Sequence, residues 1–234
     1  MPYASSRTRF ASLQRVFGQG KSPLMDCLAQ MSVLYEDLRI ETFALTANDE
    51  EVKRLDHLDK RYRVHYFLRR SIATLLEFRG ALIKLSRTEE FKAERRASCF
   101  HQDASLTRKS QRELFDMVSD ALTFFHNHHN VLKNLRNAVG GHFGDAAAHQ
   151  ATANVDPNAI GKLEVIFDKS RQGGGPKLHY AGEIAATAFT KHLPGFKPRQ
   201  EEIGDAIRMI RDGYAHLTKA MHALVVLFLW DRFG

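Results

Sequence analysis

The strongest constraint on this chain is a set of long segments in which apolar residues recur every three or four positions. That period follows the 3.6-residue turn of an α-helix, not the two-residue alternation of a strand. From Pro23 to Ala47, the residues Leu28, Met31, Tyr35, Leu38, Thr42 and Leu45 share a face, and Pro23 suits a first helical turn. From Asp56 to Ser86, the face is marked by Leu58, Tyr62, His65, Leu68, Ile72, Leu75, Leu76 and Leu82. Other faces of that segment carry Lys60, Arg61, Arg63, Arg69, Arg70 and Arg79. Glu89 to Ala97 predicts a short helix within a charged stretch. From Ser110 to Val139, the residues Leu114, Val118, Ala121, Phe125, His128, Leu132, Leu135 and Val139 alternate steps of four and three, a narrow coiled-coil-like seam. Tyr180 to His192 predicts a shorter helix, stopped at Pro194-Gly195. The last helix is expected from Pro198 to Asp231, with a wide apolar stripe from Ile203 to Phe228.

The expected fold class is therefore mainly α, an antiparallel helical bundle. One interruption is expected. Leu163 to Asp168 and Pro176 to His179 flank a glycine-rich turn, which predicts a small β-hairpin near 163–179. The Gly173-Gly174-Gly175 run is not a phosphate loop, because it lacks the Gly-Lys-Ser/Thr ending and a following helix. Residues 1–22 read as a flexible basic arm, and 23–234 as a single helical domain with a C-terminal helical extension.

Composition narrows the classes of partner. Hydrophobic residues make up 44% and charged residues 26%, the balance of a folded globule. The net charge is +7, with twelve further histidines, which favours an anionic partner. Cys27 and Cys99 suggest free thiols in a reducing compartment, too few and too far apart to build a metal site. The first 22 residues lack the apolar centre of a secretory signal, and Ala223 to Trp230 is too short to span a bilayer. A cytoplasmic location without membrane attachment is the expectation. No nucleophile elbow, dinucleotide fingerprint or Walker loop is present, and Glu77 and Glu164 stand isolated.

The chemistry-bearing residues gather at the end of the Ser110–Val139 segment. Asn127, Asn130, Asn134 and Asn137 recur at helical spacing, and His126, His129, Lys133 and Arg136 do so one position earlier. Asparagine is a mediocre helix former, because its side chain competes for backbone bonds. Two readings of these stripes stand: a solvated surface, or a polar face for RNA or a dimer partner. His126 and His129 lack a neighbouring Cys, Asp or Glu to complete a metal site, so none is expected. The stripes lead to Leu135-Arg136-Asn137-Ala138-Val139-Gly140-Gly141-His142. Gly140-Gly141 suits a helix end, since glycine accepts positive φ without steric cost. A turn there would bring the His142 imidazole back beside the Arg136 guanidinium. Histidine can act as acid or base near neutrality, and arginine grips phosphate oxygens with parallel donors.

Arg136, Asn137 and His142, with five residues between Arg and His, resemble the signature of the HEPN superfamily. The resemblance covers roughly residues 24–145 and is nearest to the abortive-infection and toxin-like branch. It implies an all-helical fold that often dimerises, pairing two copies of the motif in a cleft. It further implies a metal-independent ribonuclease without a cofactor, with RNA as substrate and an antitoxin protein as a further partner. In that reading Arg136, Asn137 and His142 are catalytic, and Lys133, His129 and Asn134 hold RNA. The alternative is a HEPN-like module without catalysis that binds RNA or a partner protein.

Overall fold

The computed structural model describes residues 12–17, 22–46, 53, 57–98, 110–136, 152, 163–166, 175–178, 187 and 199–233. These residues are mainly helical. In order they form α1 (Leu13–Phe17), α2 (Pro23–Thr46), α3 (His57–Ser86), α4 (Glu89–Ala97), α5 (Gln111–Asn127), α6 (His129–Leu135), strands β1 (Leu163–Ile166) and β2 (Gly175–Leu178), and α7 (Arg199–Leu224). The two strands pair antiparallel, with Leu163 opposite Leu178 and Ile166 opposite Gly175. Of the helix expected at Tyr180–His192, only Thr187 is described; it is helical and buried.

Local sequence explains where the helices begin. At the head of α2 the Ser22 hydroxyl accepts from the Met25 amide at 3.3 Å, and Pro23 occupies the first turn, where no intrahelical donor is needed. Thr88 caps α4 in the same way, accepting from the Phe91 amide at 3.3 Å. α5 opens on a reciprocal box. The Ser110 hydroxyl accepts from the Glu113 amide at 3.3 Å, while the Glu113 carboxylate accepts from the Ser110 amide at 2.6 Å. Two donors that a helix start would leave orphaned are thereby satisfied.

Three expectations are corrected. The predicted continuous helix from Ser110 to Val139 is broken at His128, whose φ of −99° and ψ of 3° lie in the sparsely populated bridge region. The last helix changes pitch: after Leu224 it passes into a π turn over Val225–Leu229 and then a 3₁₀ turn over Trp230–Phe233. Within the stretch expected as a loose arm, Leu13–Phe17 form a helical turn with Val16 buried.

The chain divides into two compact units. The first comprises 1–36, 77–126 and 213–234. Its core holds Leu28 and Met31 from α2, Phe78, Leu82 and Leu85 from α3, Leu114, Val118 and Phe125 from α5, and Leu217 and Leu224 from α7, all at most 1% exposed. Phe91, Phe115 and Phe228 form a ring cluster within it, with centroids 5.2 to 6.3 Å apart. The second unit comprises 37–76 and 127–212. Its buried residues include Leu38, Leu68, Ile72, Leu75, Leu132, Leu135, Ala206 and Ile210.

Candidate functional site

α6 is one short amphipathic helix. Leu132 and Leu135 are fully buried, while Asn130, Lys133, Asn134 and the following Arg136 are exposed. The helix restarts after His128 through a bond from the Leu132 amide to the His128 carbonyl at 3.0 Å. Arg136 continues the helical backbone at φ −60° and ψ −48°, donating its amide to the Leu132 and Lys133 carbonyls. At a rise of ~1.5 Å per residue, His129 to Arg136 spans about 10 Å of surface. His129 is half-buried, and the other members of its stripe are solvent-facing.

The expected catalytic set is described only in part. Arg136 is placed at the C-terminal end of α6, while Asn137 and His142 lie outside the described residues. The RNA-holding set is described in full: Lys133 and Asn134 are exposed beside one another, and His129 lies one turn back from Lys133. Among the described residues no three His, Cys, Asp or Glu side chains are placed to hold a metal ion. No helix among them is long and apolar enough to cross a membrane.

The second unit also buries a polar cluster that periodicity alone does not reveal. Glu41, 7% exposed, is the centre. Thr74 Oγ1 lies 3.1 Å from Glu41 Oε1 and 3.2 Å from the Arg70 carbonyl, so its single proton has two competing acceptors. The Arg70 guanidinium stands 3.6 Å away and is largely exposed, so it compensates weakly. Glu41 Oε2 is buried without a hydrogen-bond partner. Burial raises the Glu41 pKa above its usual value, against the opposing pull of Thr74 and Arg70.

The first unit carries features that sequence reasoning also missed. Tyr35 stacks on Tyr214 at 6.3 Å, and its phenol pKa is raised, first by burial and then by the Tyr214 phenol. Tyr35, Glu36, Thr218 and His222 line a cavity of about 410 Å³ there. Lys92, Arg95 and Arg96 surround a second concavity on α4, with Glu89 bonded to Lys92 at 2.7 Å. That contact lowers the Glu89 pKa. The Glu-to-Lys spacing of three residues was the available signal for that pair.

No protein family, curated protein or solved structure matches the chain.

Proposed function

We propose that the chain is a metal-independent endoribonuclease of HEPN type, working as a homodimer in phage defence or toxin–antitoxin biology. The observation that carries this reading is the open face of α6, where Asn130, Lys133, Asn134 and Arg136 are exposed above the buried Leu132 and Leu135. A cationic and amide-rich face of that kind suits a phosphodiester backbone, since arginine and lysine meet the phosphates and asparagine adds neutral donors.

In this reading RNA lies along α6, held by Lys133, Asn134 and His129. Arg136 clamps the phosphate at the cut site, where charge builds in the transition state. His142 moves the proton and Asn137 orients its ring. The 2′-oxygen attacks the adjacent phosphorus, the bond to the 5′-oxygen breaks, and the departing oxygen takes a proton. The products are a 2′,3′-cyclic phosphate and a 5′-hydroxyl. One imidazole cannot readily serve both ends of this step, so a second motif from a partner copy completes the site.

The test is cleavage of total cellular RNA and tRNA by purified protein in EDTA. Wild type is expected to cut and leave cyclic phosphate ends. Arg136→Ala and His142→Ala are expected to lose at least about a hundredfold in rate while remaining folded. Near-wild-type cutting by either variant overturns the assignment. The same face supports a second reading, a binding module without catalysis. RNA binding by folded, dimeric protein that cuts nothing would favour it.

A further inference from the structure

A cavity of about 310 Å³ lies in the first unit. Arg79 and Ile83 line it from α3, one turn apart. Leu122, Thr123 and His126 line it from α5, again within one turn. Ile83 and Leu122 give the cavity apolar wall, and Arg79 and His126 give it a guanidinium and an imidazole.

The polar groups have little else to do. The Arg79 Nε is buried and has no hydrogen-bond acceptor. Among the described residues no carboxylate pairs with Arg79 or His126. A buried donor left unsatisfied costs about 1–3 kcal/mol, so a guanidinium in this state gains from any acceptor brought to it. Thr123 spends its one hydroxyl proton on the Ser119 carbonyl at 3.0 Å and so offers only lone pairs, which do not accept from the Arg79 Nε. The donors of the polar lining come from Arg79 and His126. An exposed imidazole beside a guanidinium would meet a single oxyanion from two sides.

We propose that this cavity is a binding site for a small organic oxyanion, an apolar or aromatic body bearing a carboxylate or a phosphate monoester. The anionic head engages Arg79 and His126, and the body rests against Ile83 and Leu122. The volume sits at the lower bound of small-ligand pockets, which sets the size of the body at about one ring. The planar fork of arginine accepts either head group, and the site owes nothing to RNA cleavage.

Calorimetric titration of the full chain with benzoate, phenyl phosphate, inorganic phosphate and benzyl alcohol tests the assignment. Benzoate or phenyl phosphate is expected to bind, and the better of the two identifies the head group. Inorganic phosphate and benzyl alcohol, each lacking half of the ligand, should bind at least about tenfold more weakly. Arg79→Met, which keeps the packed stem, and Thr123→Phe, which fills the cavity from an exposed position, should each weaken binding about tenfold or more. Lys92→Ala, on the separate α4 concavity, should leave it unchanged. Absence of binding by both aromatic anions overturns the proposal. So does binding that is indifferent to Arg79→Met and Thr123→Phe in variants whose circular dichroism matches wild type.

Discussion

Glu41 shows how one residue can set a pH response. Its carboxyl is buried, has one oxygen without a partner and shares the other with Thr74 and the exposed Arg70. Desolvation raises the folded pKa above the ordinary value of 4.5. The native state therefore holds this proton more tightly than the unfolded chain does. The resulting stabilisation is complete below pH 4.5 and is lost as pH rises through the raised folded value. Glu41→Gln keeps an oxygen for Thr74 and removes the charge. Its melting temperature should exceed that of wild type at neutral pH, with the gain shrinking as pH falls through the raised folded value towards 4.5 and levelling off below it. A gain of equal size at every pH would overturn this account. Thr74→Val removes the hydroxyl and leaves the carboxylate poorer, at a cost of about 1–2 kcal/mol by denaturant titration. None of this was legible in the periodicity of α2. Glu41 falls beside Thr42 on a face whose burial depends on α3, and only the folded pairing of Glu41 with Thr74 reveals it.

At the scale of elements the sequence was informative where apolar spacing and capping agreed. α2, α3 and α4 begin and end within one residue of the expected positions, because Ser22-Pro23 and Thr88 fix two of the starts. The break at His128 escaped because the seam continues through it in phase, from Phe125 to His128 to Leu132. Spacing reports which face is buried; it does not report one residue leaving helical geometry. The available signal was the run His126 to Asn130, histidines and asparagines of weak helix propensity. The π turn at Val225–Leu229 was likewise invisible, since an apolar stretch satisfies either pitch. Caps give the sharper prediction. Ser110→Ala removes the acceptor for the Glu113 amide and one arm of the box, while the backbone arm to Glu113 remains. A loss of about 1 kcal/mol is expected, with no change in the urea dependence of the unfolding free energy. A larger loss with a changed slope would mean that the start of α5 holds more than its own first turn.

For the whole molecule, the site was legible as residues and not as a place. The sequence supplied the polar stripes, and α6 turns Lys133, Asn134 and Arg136 outward as amphipathicity requires. It could not supply the Arg79–His126 cavity, because those residues lie far apart in the chain and meet only when α3 and α5 pack. The first unit also holds a ring cluster that can be tested directly. Phe115 touches both Phe91 and Phe228, so Phe115→Ala opens a cavity beneath three elements of the first unit. Its cost should be about 3–5 kcal/mol by chemical denaturation, and a cost below about 1 would show that the ring cluster is not a supporting contact. Charge decides the last question, whether the open face of α6 meets a polyanion. A net charge of +7 attracts RNA generally, so binding alone does not locate the contact. Salt dependence does. Each phosphate neutralised on a single strand releases counterion and steepens the decline of log affinity with log salt by about 0.7. If Lys133 and Arg136 each hold a phosphate, then Lys133→Ala and Arg136→Ala should each flatten that slope by about 0.7, and the double variant by twice as much. Lys92→Ala and Arg95→Ala, on the α4 concavity, should leave it unchanged. An equal flattening by all four substitutions would mean diffuse attraction to the whole charged surface, and α6 would lose its claim to be where RNA binds.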